Sequence, residues 1–240
     1  MNITRDFRIL KQLLAGSGGG DHAERLERFY AEQAEDYDAF RERLLPGRRE
    51  LLGALPLEPG ALVVDMGGGT GANLEFLPAA AHEQIARWSI VDLSPSLLNI
   101  ARRRAQDHGW QHVELHEADA TTFDPGRLVD VVLFSYSLTM IPDWMGALEQ
   151  AHRILKPGGH VALVDFTVSR KYPPDGLHQY GAFARHFWPL WFSWDNVFLN
   201  ADHLPWLLRT FTRVKLVEAT TRLPYVPGSR VPYYQFLGRK

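Results

Sequence analysis

The residues best placed to do chemistry begin at Val63-Val64-Asp65-Met66-Gly67-Gly68-Gly69-Thr70-Gly71, where an apolar strand pattern gives way to a helical one. Glycines at such a turn let the backbone bend tightly and approach a ligand without Cβ clashes. The next strand pattern ends on Asp92, which puts a carboxylate at the open edge of a sheet, where it can accept from both hydroxyls of a ribose. Taken alone, Gly67-x-Gly69-x-x-Ala72 also satisfies a dinucleotide fingerprint. Two further positions argue against a nicotinamide cofactor. Asp65 lies just before the first glycine, and a carboxylate there suits a cationic ligand better than a pyrophosphate. Asp119-Ala120 follows the third strand, a position from which a side chain reaches an adenine amino group.

The elements that must hold these residues alternate. Strands are predicted at Ala61–Asp65, Trp88–Asp92, Val113–His116, Val129–Phe134 and His160–Phe166, with helices near Ala72–Ala80, Pro95–His108 and Trp144–Leu155. Such alternation predicts an α/β fold: a Rossmann-like, doubly wound, mostly parallel seven-stranded sheet with helices on both faces. The extended runs Arg213–Ala219 and Val231–Leu237 would close its edge as an antiparallel pair. Upstream, Ile3, Phe7, Leu10 and Leu14 recur at helical spacing, and Gly16-Ser17-Gly18-Gly19-Gly20 reads as a joint. The expected organisation is therefore a mobile arm over 1–20, a helical cap over 21–59 and a core over 60–240, with 167–210 as an insertion after strand five. The arm is expected to be either a cover over the site or a weak membrane foot.

Composition narrows the function classes. The 240 residues carry 26 Lys and Arg against 28 Asp and Glu, so no basic excess points to nucleic acid. With no cysteine, disulfides, thiolate zinc sites and a thiol nucleophile are excluded. No uncharged apolar run reaches membrane-spanning length, and the expectation is a cytoplasmic protein, at most peripheral on a membrane surface. His108, His112 and His116 recur every fourth residue, but Gly109 interrupts any shared helix, so no metal site is expected. Arg102-Arg103-Arg104 reads most simply as a solvated helix face, with anionic lipid contact the alternative, and Asp165 as structural. No G-x-S-x-G elbow supports a hydrolase.

Asp65-x-Gly67-x-Gly69-x-Gly71, Asp92, Asp119-Ala120 and Leu155-Lys156-Pro157-Gly158-Gly159 together resemble the class I S-adenosylmethionine-dependent methyltransferases, over roughly residues 60–166. The resemblance implies that Asp65, Gly67, Gly69, Thr70 and Gly71 carry the methionine part of the cofactor. It gives the ribose to Asp92 and the adenine to Asp119 and Ala120, and puts Ser135 and Tyr136 at the reacting centre, Ser135 on the cofactor side. Phe29-Tyr30-x6-Tyr37-Asp38 resembles the family's lid helix, with Tyr37 as the residue over the cofactor.

Tyr180–Phe198 contains eight aromatics in nineteen positions, against 12% for the chain. Buried cover, lipid-facing surface and pocket for an alkylated ammonium are the competing readings. Arg185, His186, Asp195 and Asn196, interleaved with the rings, favour a segment that partly packs and partly lines an acceptor site. Tyr37-Asp38-Ala39-Phe40-Arg41, Phe187-Trp188-Pro189, Asp195-Asn196-Val197, Asp202-His203-Leu204-Pro205 and Val231-Pro232-Tyr233-Tyr234 are similar to the N-methyltransferases of betaine-lipid synthesis. That resemblance implies stepwise methylation of diacylglyceryl-homoserine to its trimethylated form, with a companion enzyme supplying the lipid. In this reading Tyr136, His186 or Asp195, or bulk water, takes the amine proton, Arg185 or His186 holds the head-group carboxylate, and Trp188, Trp191 or Tyr136 faces the nitrogen. Phosphatidylethanolamine or another small amine is the alternative acceptor, and a non-catalytic cofactor-binding module the alternative class.

Overall fold

The computed structural model describes residues 45–194, 196–222 and 230–240. The arm, the start of the cap, Tyr37 and Asp195 lie outside the described residues. The described elements are α1 (Arg48–Leu52), β1 (Ala61–Met66), a 3-10 turn (Ala72–Phe76), α2 (Ala79–His82), β2 (Ile85–Asp92) and α3 (Pro95–Asp107). Then follow β3 (Val113–Glu117), β4 (Val129–Ser135), a 3-10 turn (Leu138–Met140), α4 (Trp144–Ile154) and β5 (Leu155–Phe166). Helices α5 (Ala182–Ser193) and α6 (His203–Thr210) precede β6 (Thr212–Thr221) and β7 (Val231–Arg239).

The seven strands form one sheet in the order β3-β2-β1-β4-β5-β7-β6. Pairs among β1 to β5 are parallel, while β7 runs antiparallel between β5 and β6. The chain order reverses between β1 and β4, and the carboxyl ends of those strands open onto a crevice there. Alternation along β1 and β4 feeds two cores: Val63, Val131 and Leu133 face one, with α1 and α5, and Val64, Val132 and Phe134 face the other, with α4 and α6.

Local chemistry sets the boundaries. Ser94 caps α3 by accepting from the Leu97 N–H at 3.3 Å, with Pro95 in its first turn. Gly109, at φ +67°, ends that helix, leaving His108 on its last turn and His116 in β3. The helix predicted over 72–80 is instead a 3-10 turn followed by the four-residue α2. Pro78 supplies no N–H and forces Leu77 into an extended conformation (ψ 139°) between them. Arg104 is not part of a solvated face: it pairs with Glu75 at 2.7 Å and donates to the Thr70 carbonyl, fastening α3 to the glycine loop. Asp165 is buried and accepts from the Thr139 N–H and hydroxyl at 3.0 and 2.8 Å, a structural role. No helix among the described residues is long and apolar enough to cross a membrane.

The insertion over 167–210 holds two helices that periodicity did not reveal, of which α5 carries most of the aromatic segment. In α5, Trp188 and Phe192 are buried, while Phe183 (69% exposed) and Leu190 (63%) face outward, with Trp194 (57%) at the end of the helix. At the start of α6, His203 is fully buried against Trp144, ring centroids 4.8 Å apart, and neither ring nitrogen finds a hydrogen-bond partner. Burial pushes its imidazole down to about 4, offset in part by Asp202. The unfolded chain therefore binds more protons than the folded one between the two pKa values, so acid destabilises the fold through this residue. We expect His203→Phe to gain about 3 kcal/mol on the wild type between pH 7 and pH 4. Urea unfolding of both proteins at the two pH values measures this; a pH-independent difference would contradict a neutral buried imidazole.

Candidate functional site

The crevice at the carboxyl ends of β1, β2 and β4 holds a cavity of about 260 Å³. Gly67 and Gly69 form its floor. Both have positive φ, as does Gly71, a conformation that side chains with a Cβ rarely adopt. Space is equally restrictive: a Cβ on Gly67 would lie 2.5 Å from the Cβ of Ser137. Ser137 is itself fixed, its hydroxyl donating to the Met66 carbonyl at 2.6 Å.

Asp92 lines the cavity from the end of β2. Its Oδ2 accepts from the Gly69 N–H and its Oδ1 from the Ser94 N–H, both at 2.9 Å, so one carboxylate joins the loop to the start of α3. Across the cavity, Asp119 accepts from the N–H and hydroxyl of Thr121 at 2.8 Å, both on Oδ1. Leu93, Leu97, Ala120, Met140 and Ile141 form apolar walls. With Asp143, the described lining includes three carboxylates and no Lys, Arg or His. Such a lining favours a flat apolar ligand carrying positive charge and repels a pyrophosphate.

Gly67, Gly69, Asp92, Asp119, Ala120 and Tyr136, all anticipated from sequence, come together in this lining. Asp65, Thr70, Gly71 and Ser135 do not line it. Thr70 and Ser135 are buried, and a Cβ on Gly71 would press on Ile90 at 2.9 Å. Asp65 is fully buried under the loop and accepts from the Asn73 side-chain amide at 2.9 Å, so it does not face a cationic ligand as expected. Its strand position aims it back into the fold.

Tyr136 has φ +55°, unusual for a residue with a Cβ, and its ring packs against Phe166 at 4.8 Å. Its hydroxyl donates to the Pro46 carbonyl at 2.7 Å, and burial raises its pKa well above the ordinary value. This corrects its expected role as proton acceptor: at neutral pH it keeps its proton and positions the chain. Trp188 is also corrected. It belongs to the core, with its indole N–H donated to the Arg230 carbonyl at 3.0 Å, because its helical phase turns it inward. His186 is exposed on α5, Arg185 and Trp191 are half-buried there, and none of the three lines the cavity. Sequence reasoning missed Leu97, Ser137, Met140 and Asp143. Asp143 carried a signal, since it precedes a helix whose Gly146 N–H it caps at 2.9 Å. Ser137 and Met140 carried none.

Fold and cavity together define an α/β domain that holds its ligand at the carboxyl edge of a parallel sheet, at the switch in strand order. The family model described as a methyltransferase domain matches residues 31–211, and the chain belongs to that family. Among its relatives, the ubiquinone/menaquinone biosynthesis C-methyltransferase UbiE of Coxiella burnetii is 28% identical over 113 residues, 46% of this chain and 45% of that protein. Aklanonic acid methyltransferase DauC of a Streptomyces species is 37% identical over 107 residues, 43% of this chain and 47% of that protein. The chain thus spans about half the length of these curated relatives. Phosphoethanolamine N-methyltransferase 2 of Haemonchus contortus, solved with S-adenosyl-L-methionine, shares the fold with a TM-score of 0.69 at 17% identity, over 93% of this chain and 60% of that one.

The buried carboxyl under the loop generates a test. Burial raises Asp65 from 3.8 to about 6, with Asn73 and Arg48 offsetting part of the rise. The folded chain then holds a proton that the unfolded chain has lost, and the stability this gives disappears as pH rises through about 6. From pH 4 to pH 7, Asp65→Asn should gain about 2 kcal/mol relative to wild type. Chemical unfolding at several pH values checks this, and a flat difference would show that Asp65 ionises normally.

Proposed function

We propose that this protein is an S-adenosylmethionine-dependent N-methyltransferase that methylates the amine of diacylglyceryl-homoserine stepwise to the trimethylated betaine lipid. The observation that carries the cofactor is the lining itself: apolar walls, three carboxylates and no cation among the described residues. Its residues fit the group. Asp92 would hold the ribose hydroxyls, Asp119 the adenine amino group through Oδ2, and Leu93, Leu97 and Ala120 the faces of the base. The Gly67–Gly69 backbone would carry the methionine part, whose ammonium and sulfonium charges suit an acidic surround. When bound, the cofactor supplies a methyl carbon on a positively charged sulfur, open to in-line displacement by a neutral nucleophile.

The chain's own task is then alignment and charge management. The acceptor amine must be neutral to attack, and its proton passes to a lining carboxylate or to water, since the Tyr136 hydroxyl is already committed to Pro46. Tyr136, Phe166 and Phe192 form a continuous ring contact, centroids 4.8 and 4.7 Å apart, which joins the cavity to α5. This contact supports an acceptor side that lies toward α5.

Support for a lipid acceptor comes from the resemblance carried by segments outside the cofactor motifs. Two of these segments meet in one core: Trp188 and Val231 belong to the same buried cluster, and the Trp188 indole N–H donates to the carbonyl of Arg230, just ahead of β7. Exposed Phe183, Leu190, Trp194 and Phe198 around α5 give the protein a surface suited to peripheral membrane contact, as expected of an enzyme in the cytoplasm whose acceptor stays in a bilayer.

Purified protein incubated with S-adenosylmethionine and diacylglyceryl-homoserine should yield one-, two- and three-methyl products by mass spectrometry, and little product from phosphatidylethanolamine. Asp92→Ala should weaken cofactor binding by about 1.5–3 kcal/mol, the worth of a charge-assisted hydrogen bond. Preference for phosphatidylethanolamine would overturn the acceptor assignment, and undiminished binding by the variant would overturn the role of Asp92.

A further inference from the structure

Arg48 opens α1 and is only 9% exposed. Its Nε and Nη2 donate to Asn73 Oδ1 at 3.2 and 2.9 Å, and Asn73 Nδ2 donates to Asp65 Oδ2 at 2.9 Å. A guanidinium, an amide and a carboxylate thus form one chain through three elements: α1, the 3-10 turn after the glycine loop, and β1. The amide accepts from the cation and donates to the carboxylate, so its orientation is set by its two neighbours. The guanidinium carbon also lies 4.6 Å from the centre of the Phe76 ring, which fixes Arg48 from a second side.

The far end of this chain presses on the loop. A Cβ on Gly68 would meet Asp65 Cγ at 2.9 Å and Oδ2 at 3.0 Å, so the carboxylate packs directly beneath the Gly68 backbone. Gly67 and Gly69, on either side, line the cavity, whereas Arg48, Asn73 and Asp65 do not. Two residues before Arg48, the Pro46 carbonyl accepts the hydroxyl of Tyr136, which does line it. The turn ahead of α1 is therefore tied to both the loop and the end of β4.

We propose that Arg48 is a positioning residue for the methyl donor: acting through Asn73 and Asp65, it fixes the backbone of Gly67–Gly69 in the form that holds the ligand. The proposal rests on the reading of the cavity as the S-adenosylmethionine site. It assigns Arg48 an effect on donor binding that a buried cation serving only the fold would not have.

The experiment compares full-length wild type, Arg48→Met and Arg48→Lys. Calorimetric titration with S-adenosylmethionine should show about tenfold weaker binding for the Met variant, the order of one lost charge-assisted bond, and recovery of most of it by Lys, which still donates to Asn73. In turnover, KM for S-adenosylmethionine should rise by the same factor while kcat and the acceptor KM stay near wild type. A second readout needs no ligand: the Asp65 carboxyl, followed by carbon NMR, should titrate at higher pH in the Met variant. The charged groups that face Asp65 are Arg48 from α1 and Asp92 from the end of β2, with Asn73 and Trp88 the uncharged ones, so losing Arg48 leaves the repulsive partner. If the Met variant does not fold, Arg48→Gln replaces it with the same expected weakening. Wild-type affinity in the folded Met or Gln variant, or an unmoved Asp65 midpoint, would overturn the proposal. Wild-type protein that binds no S-adenosylmethionine would overturn the cofactor reading and this proposal with it.

Discussion

A Cβ at Gly67 would stand 2.5 Å from the Cβ of Ser137, and the backbone there turns left-handed. That close approach between the ends of β1 and β4 sets the shape of the site. It brings the Ser137 hydroxyl onto the Met66 carbonyl, holds Tyr136 at positive φ, and leaves the cavity between the loop and the segment after β4. Asp92 holds the same loop from the β2 side through the Gly69 N–H, and Arg104 holds it from α3 through the Thr70 carbonyl. The loop is thus fixed from each neighbouring element. A ligand meets a surface that is already formed, so little ordering is left to oppose binding.

The electrostatic consequence follows from which carboxylates remain at the cavity surface. Asp65 is withdrawn beneath the loop, where burial favours its protonated form, while Asp92, Asp119 and Asp143 stay in the lining. Methyl transfer from sulfur to nitrogen passes positive charge from one atom to the other without creating any, and an acidic surround suits both ends of that path. In the proposed transfer to an amine no oxyanion develops, and the described lining includes no Lys, Arg or His. Hydride transfer to a pyrophosphate-bearing cofactor would place like charges together at the same loop.

The alternating core was legible in the sequence because parallel strands buried on both faces leave short apolar runs, and Val129–Ser135 is one. Gly67, Gly69, Asp92 and Asp119 were legible because strand-end positions in this architecture point into a crevice whatever the rest of the chain does. Two kinds of feature were not. The first is depth: spacing identifies Asp65 as an acid at a strand end, but only packing shows that it lies below the loop. The second is helical phase in an aromatic segment. Tyr180–Phe198 offered too many rings for an apolar stripe to stand out, so Trp188 looked available to a ligand when its phase directs it into the core. Pro78 illustrates the reverse case, a local signal strong enough to break the helix predicted across it.

The central claim is that an acid-lined nucleoside cavity takes a sulfonium cofactor. Calorimetric titration of the wild-type protein at neutral pH with S-adenosylmethionine and, separately, with NAD tests it most directly. Saturable one-to-one binding of S-adenosylmethionine and no measurable heat of binding from NAD are the expected results. Binding of NAD in preference to S-adenosylmethionine would contradict it.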